Sequence, residues 1–172
     1  MQAYPHPSQM ALGFFIIHVG GNAYGVRESD ASMLGCSFQE VGDRLVRKGK
    51  HRMALGPEHD GRSIAAAYLA AFYREEPEHN DFLGLSLTAF SEALISNAII
   101  WVPDGDEAFD DGSHVLQFDI GDKVRIIAFK NTEDPADMPD TLVEQWLDAD
   151  DFYDVLERWK WLFKRQWERA LA

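Results

Sequence analysis

Cysteine occurs once in 172 residues, at Cys36. One thiol excludes an internal disulfide and any cluster of Cys ligands, and a chain without a structural disulfide suits a reducing compartment. The expected place of Cys36 is a small buried core position, the usual situation of cysteine outside disulfides. Long hydrophobic runs are missing too. The apolar stretch Leu12–Val19 is closed by Gly20-Gly21, far short of the roughly twenty apolar residues of a membrane span. The first ten residues contain two prolines and no Lys or Arg, whereas a secretory signal needs a basic start and a longer apolar centre. A flexible tail is expected over residues 1–10, and a cytoplasmic location for the protein.

Positive charge is scarce. Sixteen Lys and Arg against twenty-nine Asp and Glu leave a formal charge of −13. Such a surface repels nucleic acid and anionic lipid and attracts basic partners. The imbalance is local: Asp104–Glu157 holds seventeen of the carboxylates and only Lys123, Arg125 and Lys130 to oppose them.

Catalytic signatures are absent as well. No two of the six histidines fall at the i, i+4 spacing of a helical metal site. No GxSxG elbow, phosphate-binding loop or dinucleotide fingerprint occurs, and Gly20-Gly21 has no helix after it and reads as a turn. His18 and His114 lie in expected strands and read as structural. No cofactor and no metal is expected.

What the chain does contain is core material, 46% hydrophobic and 12% aromatic, enough for one domain over residues 1–172. Residues 12–19 read as a strand, Gly20-Gly21-Asn22 as a turn, and 23–27 as the returning arm of a hairpin. Ser37 and Glu40 match a capping box, followed by Phe38, Val41, Leu45 and Val46 at helical spacing, which predicts a helix over 37–48. The Ala-rich run from Ser63 to Tyr73 predicts a second helix ending before Pro77. A short strand at 82–87 and a short helix at 88–95 follow. Period-two patterns then predict strands at 98–102, 114–118, 123–129 and 142–147. Asp150 or Asp151 caps a last helix whose stripe is Phe152, Val155, Leu156, Trp159, Leu162, Phe163 and Trp167. The fold class is α+β: a mostly antiparallel sheet with about three helices packed on one face.

The segment Asp104–Gly112 packs Asp104, Asp106, Glu107, Asp110 and Asp111 into eight residues. Tested as an EF-hand loop from Asp104, positions 5, 6 and 12 are Ala108, Phe109 and Val115, where acidic, Gly and Glu residues are required. The motif fails, and a looser Ca²⁺ site or another small-ligand site there is one alternative. A hydrolase with two opposed carboxylates is a second alternative, but twenty-nine candidates nominate no pair.

Three stretches resemble a family of bacterial immunity proteins, immunity protein 42: Ile99–Ser113, Val115–Phe129, and Asp151–Trp159 with the aromatics after it. The hairpin beginning Gly13-Phe14-Phe15 is similar more weakly. Such proteins accompany polymorphic toxins. The resemblance implies a non-enzymatic inhibitor that binds a cognate toxin. The acid balance is consistent with a basic toxin, one acting on nucleic acid included. On that reading the five carboxylates of 104–111 are the candidate partner-binding residues.

Overall fold

In a computed structural model the described residues are 11–55, 59–74, 81–103, 107–132 and 137–171, the side chains of Glu107 and Leu171 excepted. The tail expected over 1–10 lies outside them. Their elements run β1 (Leu12–Gly13), β2 (Ile17–Val19), β3 (Asn22–Tyr24), β4 (Ser32–Met33), α1 (Leu34–Val46), α2 (Gly61–Tyr73), α3 (Leu87–Ser96), β5 (Ile100–Val102), β6 (Ser113–Ile120), β7 (Lys123–Lys130), α4 (Met138–Thr141), β8 (Val143–Asp148) and α5 (Ala149–Leu171). The architecture is α+β with antiparallel sheets and a long C-terminal helix, as the sequence predicts.

The centre is the pair β6–β7, rich in Val, Ile and Phe, which closes through Gly121-Asp122 with Ile120 opposite Lys123. β5 and β8 flank it in the order β5-β6-β7-β8. Alternation gives this sheet two apolar faces. Val115, Val124, Ile126 and Ala128 meet Val41 of α1 and Phe152 and Leu156 of α5. Leu116, Phe118, Ile127 and Phe129 meet Ile64 and Tyr68 of α2 and Phe90 and Leu94 of α3. Helices therefore cover both faces, not the one expected. A strand apolar on both sides needs two covers, and each Leu, Ile or Phe so buried contributes about 1.5–3 kcal/mol.

Local chemistry places the covers. Asp60 Oδ1 accepts from Ser63 N at 2.7 Å and starts α2. Ser86 Oγ accepts from Ala89 N at 3.3 Å and starts α3. α3 ends with Ala98 N donating to Ile95 O and Ile99 N to Leu94 O. Ala98 sits at φ 48°, the left-handed cap position usually given to glycine.

Several expected boundaries move. The strand expected over 12–19 divides: Leu12 and Gly13 pair with Met33 and Ser32, while Ile17–Val19 pairs with β3 across the Gly20-Gly21 turn. α1 starts at Leu34, not Ser37. Its first turn is tied by Leu34 N to Ala11 O, and the Ser37 hydroxyl is buried against Ser32 Oγ at 3.0 Å, so no capping box forms. That phase leaves Cys36 half-buried and Val46 exposed, both expected inside. The strand expected over 82–87 does not form: residues 82–85 make a tight turn with one bridge, Phe82 to Leu85, and Leu87 already opens α3. α5 is capped by Asp148, whose Oδ1 accepts from Asp150 N at 3.0 Å, and Asp150 and Asp151 occupy its first turn.

Candidate partner interface

The acidic segment between β5 and β6 is bolted down at its end. A short turn of 3₁₀ helix, Glu107–Phe109, buries Ala108 and Phe109. Ala108 O accepts from Val26 N at 2.6 Å, and the Phe109 ring meets Phe15 edge-on at 6.3 Å. Gly112, at φ 79°, crosses so close to the neighbouring chain that a Cβ would lie 2.6 Å from Asn131 O. Asp104, Asp106 and the side chain of Glu107 lie outside the described residues.

The two remaining carboxylates differ. Asp110 is exposed. Asp111 accepts from Lys130 Nζ at 2.6 Å and from Ser113 N at 3.1 Å. Burial alone would raise its pKa, but these bonds outweigh burial and hold it below the ordinary value. Asp111 fastens the loop to β7. The fold also brings in two carboxylates that no local pattern joins to this segment: Glu28 and Asp30 border one hollow of about 410 Å³ with Asp110 and Asp111. Nothing local links residue 28 to residue 110. The link is the β3 side of the hairpin, where Gly25 N donates to Ser113 Oγ at 3.1 Å. Among the described residues no three His, Cys, Asp or Glu side chains are grouped to hold a metal.

A second surface follows α5. Phe152, Leu156 and Phe163 are buried, and Trp159 is half-buried between Phe15 at 5.1 Å and Phe163 at 5.4 Å. Val155 and Leu162, expected in the same stripe, are 62% and 45% exposed. The stripe steps 152, 156, 159, 163, and one residue to its side already points outward. Between β2 and α5 the cover parts over the sheet, leaving an apolar slot of about 430 Å³ with Trp101, Ile126 and Leu147 among its lining. Exposed Asp151, Asp154 and Glu157 stand on the same helix.

The densest polar cluster lies inside. Arg44, 1% exposed, donates to Ile100 O at 2.8 Å, Gln117 Oε1 at 3.0 Å and Ala98 O at 3.2 Å. Its Nε pairs with Glu40 at 3.0 Å, and its guanidinium lies 4.7 Å from the Trp101 ring centre. Burial lowers its pKa to about 10, so it stays charged near neutrality. Beyond it, Asp119 accepts from Tyr153 OH at 2.9 Å, from His51 N at 3.1 Å and from Gln117 Nε2 at 3.3 Å. Burial raises the Tyr153 phenol, so this hydroxyl remains a donor. His51 Nδ1 faces the carbonyls of Asn97 and Ala98 at 3.2 and 3.0 Å, which fixes the proton there. Burial, then the Arg44 charge, lowers its pKa. The cluster joins α1, the loop after it, β6 and α5. Its charged and hydroxyl groups are spent on one another, so it frames the fold. A charged residue amid an apolar helix pattern was its only trace in the sequence.

No helix among the described residues is long and apolar enough to cross a membrane. Searches of curated proteins and of solved structures returned no match. A family model described as Immunity protein 42 matches residues 1–161, which spans the N-terminal hairpins, the sheet and the first half of α5. The chain belongs to the immunity protein 42 family.

Proposed function

We propose that this protein neutralises its cognate toxin in the cytoplasm by tight, stoichiometric binding without catalysis, and that it meets a basic face of a toxin acting on nucleic acid. Family membership supplies the toxin-neutralising role and the cognate toxin as partner. The observation that carries the finer reading is the gathering of carboxylates on one hollow, where Glu28 and Asp30 join Asp110 and Asp111. In this reading Asp104, Asp106, Glu107 and Asp110 present the charge and Asp111 holds the loop in place. Complementary charge steers encounter and raises the association rate more than the final affinity, which suits an inhibitor that must act before damage occurs. A basic nucleic-acid cleft would meet these carboxylates as it meets phosphates.

The test is the association rate of the toxin with a triple variant, Asp106→Ala, Glu107→Ala and Asp110→Ala, at low and high salt. Slower association at low salt and a flatter salt dependence are expected, with the fold intact. Equal rates for variant and parent at both salts would move the charge contact off this loop.

A further inference from the structure

The slot between β2 and α5 is an unusual place to leave apolar surface open. Its walls are Phe15, Phe152 and Leu156 and its floor Ile126 and Leu147. Its volume of about 430 Å³ lies within the roughly 300–1,000 Å³ of ligand-holding pockets. The apolar surface does not stop at the slot. Val155, on its edge, is 62% exposed, and Trp161 in the adjoining hollow is 55% exposed. That hollow shares Asp151 with the slot and adds Asp154 and Glu157, against the guanidinium of Arg158 in its lining and that of Arg165 at 4.7 Å over the Trp161 ring.

We propose that this slot and the outer face of α5 beside it form the apolar anchor site for the cognate toxin. An apolar or aromatic side chain of the toxin enters the slot, and Lys or Arg residues next to it face Asp151, Asp154 and Glu157. This inference rests on the toxin-binding reading and locates where affinity, as distinct from encounter rate, resides. An apolar centre with a charged rim, and Trp and Arg at the middle, is how energetically dominant interface residues are arranged. A small molecule would fill the slot and leave Val155 and Trp161 uncovered. A second copy of this chain would set carboxylates against carboxylates in a protein of charge −13, which disfavours self-association. A basic polypeptide satisfies both features.

The experiment uses this chain and its purified, inactivated cognate toxin. Val155→Arg places a positive charge at the slot edge, and Trp161→Ala removes the neighbouring ring. Both sites are more than half exposed, so folding is checked by an unchanged thermal midpoint. Val46→Arg, at a 79% exposed site on α1, is the control. Val155→Arg should weaken binding about 30-fold or more and Trp161→Ala about 10-fold, through faster dissociation, while the control stays within about threefold. Asp154→Asn with Glu157→Gln should slow association at low salt only. Parent-like affinity of folded Val155→Arg and Trp161→Ala would overturn the slot assignment while leaving toxin binding intact. A parent chain that forms no complex would overturn the immunity reading and this inference with it. Self-association of the parent that Val155→Arg abolishes would give the slot to a second copy.

Discussion

Replacing Arg44 with Met is the sharpest perturbation of the fold. Met keeps much of the length of the side chain and removes the charge. Ile100 O and Gln117 Oε1 then lose the guanidinium together, Ala98 O keeps only His51 Nδ1, and Glu40 loses its ion pair. Removing one partner from a buried charge network costs about 3–5 kcal/mol, because the groups left behind are desolvated and unpaired. For a chain of this size that lowers the thermal midpoint by roughly 6–20 °C. Lys at this position should not restore the loss, since the partners are spread over Nη1, Nη2 and Nε of a planar guanidinium and a single ammonium cannot occupy all three places. Urea denaturation followed by circular dichroism gives the difference directly. A loss below about 1 kcal/mol for Arg44→Met would show that the cluster is not what joins α1 to the sheet.

Acid should destabilise the fold through its buried imidazoles. Burial holds His114, which stacks on Phe129 at 5.1 Å, near 4 against 6.5 for the unfolded chain. Its contribution is complete above the unfolded value. It is lost as pH falls from 6.5 toward 4, where only the unfolded chain takes up the proton, to a total of roughly 3 kcal/mol. His51, also lowered by burial, acts in the same direction. Urea midpoints across that range should fall with pH, and His114→Phe should flatten the fall; a flat parent profile would refute it. Trp159→Ala removes a ring packed against Phe15 and Phe163 and should cost about 3 kcal/mol in the same assay. An unchanged midpoint would mean that α5 is not held by its stripe.

The sheet was legible because its signal is local. Alternation in Val115–Phe118 and Val124–Phe129, a two-residue turn between them and the stripe of α5 are all patterns within one segment. The misread features depend on distant partners. Ser37 and Glu40 have the spacing of a capping box, but the helix start is set by Ala11 O, and Ser37 is drawn inward to Ser32. The role of Arg44 comes from Ala98 O, Ile100 O and Gln117, 54 to 73 residues away, which no local pattern reports. Both faces of β6–β7 are apolar, yet period two alone did not say that helices would cover each. For the proposed interface, density of charge nominates 104–111, while the neighbourhood of Glu28 and Asp30 and the outward turn of Val155 follow only from the hairpin docking and the phase of α5.

On the proposed function, this chain disarms a toxin by occupying it. The direct measurement titrates the purified protein into its active cognate toxin and follows the toxin's activity. Inhibition should grow linearly and become complete at equimolar ratio, with both proteins recovered chemically unchanged from the complex. Complete loss of activity at a small fraction of that ratio, or covalently altered toxin, would show catalysis and contradict binding, and undiminished activity at excess would contradict the immunity role itself.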